Sequence, residues 1–108
     1  MSEARRRRKT VDVLISGRGS NMDALAIAAM DPGFPAQIGR VISNRADAPG
    51  LAVAERHEIA AIALDEREHE NREDHEAALM KLLDAGGPDL ICLAGYMRIL
   101  SPAFVRHF

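Results

Sequence analysis

The chain has 108 residues, 47% hydrophobic and 28% charged, the composition of one globular domain with a core of its own. A formal net charge of −2 provides no global field for nucleic acid or a membrane surface, and the single cysteine, Cys92, excludes an internal disulfide. No apolar run approaches the length of a membrane span, and the expected location is the cytoplasm.

Arg5, Arg6, Arg7, Arg8 and Lys9 form a basic run near the start. Like charges this dense repel, so residues 1–10 are expected to be a disordered tail. Residues 11–15 are too short for a signal core and include Asp12; they read as a buried strand ending at a Ser-Gly turn. Ser20 and Asn21 offer N-caps to a helix over residues 22–30, which Pro32 and Gly33 end. Residues 37–43 read as a second strand, 49–57 as a second helix, with His57 near its C-terminus, and 59–64 as a third strand. The charged stretch 65–76 follows, with His69 and His75 expected on a solvated helical face. It leads into a helix whose apolar side is Ala77, Ala78, Leu79, Leu82 and Leu83, ended by Gly86, Gly87 and Pro88. Residues 89–94 form a fourth, almost wholly apolar strand, which predicts cover on both faces. Ser101-Pro102-Ala103 starts a last short helix.

Alternation of this kind predicts an α/β fold, a Rossmann-like, mostly parallel sheet with helices on both faces. Ligands of such sheets bind outside the C-terminal ends of the strands. Three loops of unusual composition leave the sheet there: residues 17–21, 44–48 and 95–100. In Ser16-Gly17-Arg18-Gly19-Ser20-Asn21 two glycines let the backbone approach a ligand, and the helix beyond offers unpaired N–H groups. That is a seat for one phosphate group; a tight turn with a Ser or Asn cap is the alternative. Met22 stands where a dinucleotide fingerprint needs its third glycine, and no Gly-Lys-Ser/Thr occurs. His69 and His75 lack the i, i+4 spacing of a helical metal pair, so no metal site is expected. Cys92 reads as a small core residue and Asp47 as a loop cap.

Three segments carry a resemblance: Leu14-Ile15-Ser16-Gly17-Arg18-Gly19-Ser20-Asn21, Ser43-Asn44-Arg45-Ala46-Asp47-Ala48, and Pro88-Asp89-Leu90-Ile91-Cys92-Leu93-Ala94-Gly95-Tyr96-Met97-Arg98-Ile99-Leu100-Ser101-Pro102. Together they resemble the glycinamide ribonucleotide formyltransferases of purine biosynthesis, without gaps after the basic tail. The resemblance implies that Gly19, Ser20 and Asn21 hold the substrate's ribose phosphate. It implies that Met97, Arg98, Ile99 and Leu100 line the folate pocket, largely through backbone groups. Arg72 matches a folate-contacting arginine, and a guanidinium suits folate's carboxylate tail. An ion pair with Glu73 or Glu76 is the other reading of Arg72.

The resemblance further implies glycinamide ribonucleotide and 10-formyltetrahydrofolate as substrates, with no permanently bound cofactor. Methionyl-tRNA formyltransferases and formyltetrahydrofolate deformylases share the fold but usually lack the Gly-Ser-Asn ending. They, and a free-standing Rossmann-type phosphate- or nucleotide-binding module, are the competing readings. In the family an Asn-x-His-Pro motif and a later Asp assist formyl transfer. Here Asn21, Asn44 and Asn71 are followed two positions on by Asp23, Ala46 and Glu73, so those groups are expected beyond Phe108. On this reading residues 11–108 are the N-terminal part of the formyltransferase domain, incomplete at its C-terminal side and inactive alone.

Overall fold

The computed structural model describes residues 8–108, so Arg5, Arg6 and Arg7 of the basic run lie outside the described residues. Among these, one parallel sheet contains β1 (Lys9–Ile15), β2 (Ala36–Ser43), β3 (Ala60–Ala63) and β4 (Leu90–Leu93), in the order β3-β2-β1-β4. The helices are α1 (Ser20–Ala29), α2 (Gly50–Arg56), α3 (Arg72–Gly86) and α4 (Pro102–His107), with a short 3-10 turn at Glu66–Glu68.

β1 lies between two strands because it is apolar in both directions. Val11, Val13 and Ile15 meet Met22 and Ala26 of α1 and Ala54 of α2 on one face. Leu14 meets Leu79 and Leu83 of α3 and Phe104 of α4 on the other. Each leucine buried in this way contributes about 1.5–3 kcal/mol. The helices therefore cover both faces, as the alternation predicts. The chain steps outward from β1 to β2 and β3, then α3 returns it to β4 on the far side of β1. The strand order thus reverses between β1 and β4, and the crevice outside their C-terminal ends is where such folds bind ligands.

Four local features differ from the sequence reading. β1 starts at Lys9 rather than residue 11: Lys9 donates to the Pro35 carbonyl (3.0 Å), and Thr10 and Asp89 exchange two hydrogen bonds of 2.8 and 2.9 Å. Arg8, just ahead, donates from Nη2 to the carbonyls of Ala29 (2.7 Å) and Ala36 (2.5 Å), tying the end of α1 to the start of β2. The N-cap of α1 is Gly19; Ser20 and Asn21 are already helical, exposed, and make no capping bond. His75 is buried, not solvated. The inward stripe of α3 is His75, Leu79 and Leu83, four residues apart, and His75 Nε2 donates to the Leu64 carbonyl at 2.8 Å. Finally β4 pairs only with β1 among the described residues and is covered only in part: Cys92 and Ile91 pack on the clusters of opposite faces, while Leu90 and Leu93 remain 56% and 53% exposed.

Candidate functional site

The glycine loop leaves β1 at the switch point. Gly19 takes φ +76°, a left-handed conformation that glycine adopts without strain, and turns the chain into α1. The first bond of the helix runs from Asp23 N–H to the Gly19 carbonyl (2.7 Å), so the N–H groups of residues 20–22 have no partner within the helix. With no side-chain cap, the exposed Ser20 and Asn21 stand beside the positive end of the helix dipole, and Met22 is buried behind them. Residues 17–21 line a cavity of about 420 Å³ with Ala94 and Gly95 from the end of β4. Arg18 lines the same cavity and brings a full positive charge to it, a contribution that the sequence reading left aside.

A second glycine fixes the loop from behind. Gly50, first in α2, donates its N–H to the Gly17 carbonyl at 2.9 Å. A Cβ on Gly50 would stand 2.9 Å from that carbonyl oxygen and 3.1 Å from Gly19 Cα, so two backbones touch where a side chain would separate them.

The loops after all four strands are joined by one ring of hydrogen bonds. Ser16 Oγ, after β1, accepts from Met97 N–H, after β4, at 2.7 Å and donates to Asn44 Oδ1, after β2, at 2.6 Å. Asn44 Nδ2 donates at 2.6 Å to Glu66 Oε1, after β3, and the same oxygen accepts from Arg98 Nη1 at 2.7 Å. Arg98 adjoins Met97 in the chain, so the ring closes. Its direction is determined throughout: an ionised Glu66 only accepts, so Asn44 must turn its NH2 towards it and its oxygen to Ser16. Asn44 is buried, and Ser16, Asn44 and Glu66 are site residues that the sequence reading did not single out. Asn44 had a signal, a polar side chain at the end of an apolar strand. Ser16 had the same signal at the end of β1, and Glu66 had none beyond ordinary loop composition.

Of the predicted folate-facing residues, Arg98, Ile99 and Leu100 share a cleft with Arg72, His75 and Tyr96. Arg72 opens α3 and is exposed, and Glu76 is engaged elsewhere, accepting from Ser101 N–H (2.9 Å) and Oγ. Met97 and Ile99 expose 79% and 78% of their surface, so neither is core packing, whereas Leu100 packs on the α3 cluster. Burial pushes the Tyr96 phenol up to about 12, with Arg98 pulling it down and Glu66 and Glu76 raising it, so it stays protonated at neutral pH. The remaining histidines are structural: His57 Nε2 meets Asp23 Oδ1 at 2.6 Å between α1 and α2, and His107 Nε2 meets Asp84 Oδ2 at 2.9 Å. His69, in extended backbone after the 3-10 turn rather than on a helical face, places Nδ1 3.1 Å from the Asp65 carbonyl, with its ring edge-on to His75. Cys92 is half-buried in β4 against the α1 cluster.

Asp65, not Asp47, caps the loops. It accepts from Ala46 N–H and Arg67 N–H, both at 2.8 Å, and from the Arg67 guanidinium at 2.7 and 2.9 Å. Asp47 is exposed and pairs with Arg45 at 3.3 Å. The Arg67 guanidinium first, then the two backbone donors, hold the Asp65 carboxyl well below its ordinary value of 3.8. A carboxyl that is a stronger acid when folded adds stability above that ordinary value and loses it as pH falls further. Wild-type stability should therefore drop more steeply between about pH 5 and pH 3 than that of Asp65→Asn, measured by urea titration at each pH.

A parallel α/β sheet with a glycine loop and unpaired helix N–H groups at its switch point defines a Rossmann-like domain. The chain belongs to the formyl transferase family: the family pattern described as Formyl transferase matches residues 9–108. The phosphoribosylglycinamide formyltransferase of Escherichia coli (strain K12) is 43% identical over 96 residues, covering 89% of this chain and 45% of that protein. The Homo sapiens trifunctional purine biosynthetic protein adenosine-3 is 42% identical over 103 residues, covering 95% of this chain and 10% of that protein. The crystal structure of phosphoribosylglycinamide formyltransferase from Brucella melitensis has a TM-score of 0.88 at 49% identity, covering 92% of this chain and 52% of that one. The chain spans about half the length of these bacterial relatives. Among the described residues no helix is long and apolar enough to cross a membrane.

Proposed function

We propose that these residues form the substrate-binding part of a phosphoribosylglycinamide formyltransferase of the cytoplasm, acting in purine biosynthesis. The observation that carries this reading is the meeting of two different seats at one switch point, a glycine-loop anion seat and the exposed 97–100 segment, in a chain of this family. The N–H groups at the start of α1, with Ser20, Asn21 and Arg18, hold the phosphate of glycinamide ribonucleotide. The 97–100 segment and Arg72 face 10-formyltetrahydrofolate, Arg72 taking a carboxylate of its tail. When bound, that co-substrate supplies the formyl carbon that the amine attacks. These residues bind and orient; the groups that assist the transfer itself lie outside them.

Titration of the 108-residue chain with glycinamide ribonucleotide, followed by amide NMR, tests the binding half. The largest shifts are expected at Gly19, Ser20 and Asn21; saturable binding elsewhere, or none, overturns it. With both substrates present no formyl transfer above a buffer blank is expected, and measurable turnover would show that the residues here suffice.

A further inference from the structure

We propose that Ser16 is a positioning residue that couples the anion seat to the 97–100 segment, so that filling one orders the other. This rests on the assignment of the two segments to the two substrates. The Ser16 hydroxyl adjoins Gly17 and uses both its capacities between loops, accepting from Met97 N–H at 2.7 Å and donating to Asn44 Oδ1 at 2.6 Å. Asn44 is only 3% exposed, so water cannot readily replace that partner. The Met97 side chain stands out in solvent, and Gly95, with φ +76°, has already bent the chain away from β4. The orientation of the Met97 peptide therefore depends on the serine oxygen. Tyr96 and Leu100, on either side, pack on the α3 cluster, and a longer hydrogen-bonded route reaches the segment through Asn44, Glu66 and the Arg98 side chain. When the loop closes on a phosphate, any adjustment of Ser16 is passed to the Met97 amide through a single hydrogen bond. A discrete contact of this kind gives two sites a coupling energy that acts in both directions.

The test is amide hydrogen exchange, read by NMR on the 108-residue chain. Ser16→Ala is expected to speed exchange at Met97 about tenfold, the effect of roughly one hydrogen bond. Ser16→Thr, which keeps the hydroxyl, should restore the rate, a rescue that a mere packing role would not show. Saturating ribose 5-phosphate should slow exchange at Met97 in the wild type. In Ser16→Ala it should still shift the Gly19 amide while leaving Met97 unmoved. Unchanged exchange at Met97 in Ser16→Ala, or an equal response to the sugar phosphate in both proteins, overturns the coupling. If the wild type fails to bind ribose 5-phosphate, the substrate assignment falls, and the coupling is decided without ligand. Glu66→Gln loosens Arg98 and should then speed exchange in residues 17–21 only where Ser16 is present. An equal response with and without Ser16 overturns it.

Discussion

Gly50→Ala is expected to unseat the glycine loop while leaving the sheet assembled. The added methyl would lie 2.5 Å from Ile15 Cδ1, 2.9 Å from the Gly17 oxygen and 3.1 Å from Gly19 Cα. The isoleucine end can swing away; the other two atoms belong to the loop backbone and can yield only by moving the glycine loop. The shift would also stretch the 2.9 Å bond from Gly50 N–H to the Gly17 carbonyl. Overpacking of this kind costs about 1–3 kcal/mol. Affinity for ribose 5-phosphate should fall roughly tenfold, the equivalent of one lost N–H contact. Urea unfolding and a phosphate titration of the same sample measure the two effects. Wild-type affinity in a destabilised variant would show that α2 supports the fold without positioning the seat.

Asp12→Ala should be the most destabilising single change proposed for this chain. Asp12 sits in the central strand at 2% exposure, and Arg40 holds its Oδ2 from Nη2 at 2.5 Å and from Nε at 3.1 Å. The pair exists because β2 slips by one residue against β1. Val11 opposes Ile38 but Asp12 opposes Arg40, with Gly39 as the extra residue. The guanidinium then fits under the end of α3, donating to the Leu82 carbonyl at 3.2 Å, where a Cβ on Gly86 would fall 2.1 Å from Nη2. Removing the carboxylate strands a mostly buried cation, at a cost of about 3–5 kcal/mol. Replacing both partners by apolar residues should cost far less, because no uncompensated charge remains. A double-mutant cycle in urea with Asp12→Leu and Arg40→Met decides the matter. Additive losses would mean that the pair contributes packing and no charge compensation.

The sequence made the sheet legible because hydrophobic runs of strand length alternated with capped, helix-length segments. The glycine loop was legible because its residue types have few uses other than tight turning and close approach. What it hid were relations between distant residues. Nothing in the string Val11-Asp12-Val13 shows that Arg40 will lie opposite, since the register depends on one bulge. His75 looked solvated because its neighbours are charged; its burial follows from its place four residues before Leu79, a spacing masked by surrounding Glu, Arg and Asp. The cap of α1 went to Gly19 rather than Ser20 because a left-handed residue turns the loop one position sooner. β4 was read as enclosed from its composition, yet composition reports what a strand can bury, not what lies against it. Ser16 and Glu66 gain their roles only when four strand ends converge, which no local pattern announces.

β1 comes first among the described elements and lies inside the sheet, with consequences for the order in which these elements take shape. Thr10 meets Asp89 across a separation of 79 residues, and Met97 meets Ser16 across 81. Gly50 reaches Gly17 across a far shorter span, so the back of the anion seat can form from the first half of the chain alone. Long loops close slowly because their entropy is lost before the contacts that compensate it exist. During synthesis, at about 5–20 residues per second, the seat is expected to precede the hydrogen-bonded ring by several seconds. The glycine loop proposed to hold the phosphate is then an early acquisition of the nascent chain. Its connection to the second segment matures after it.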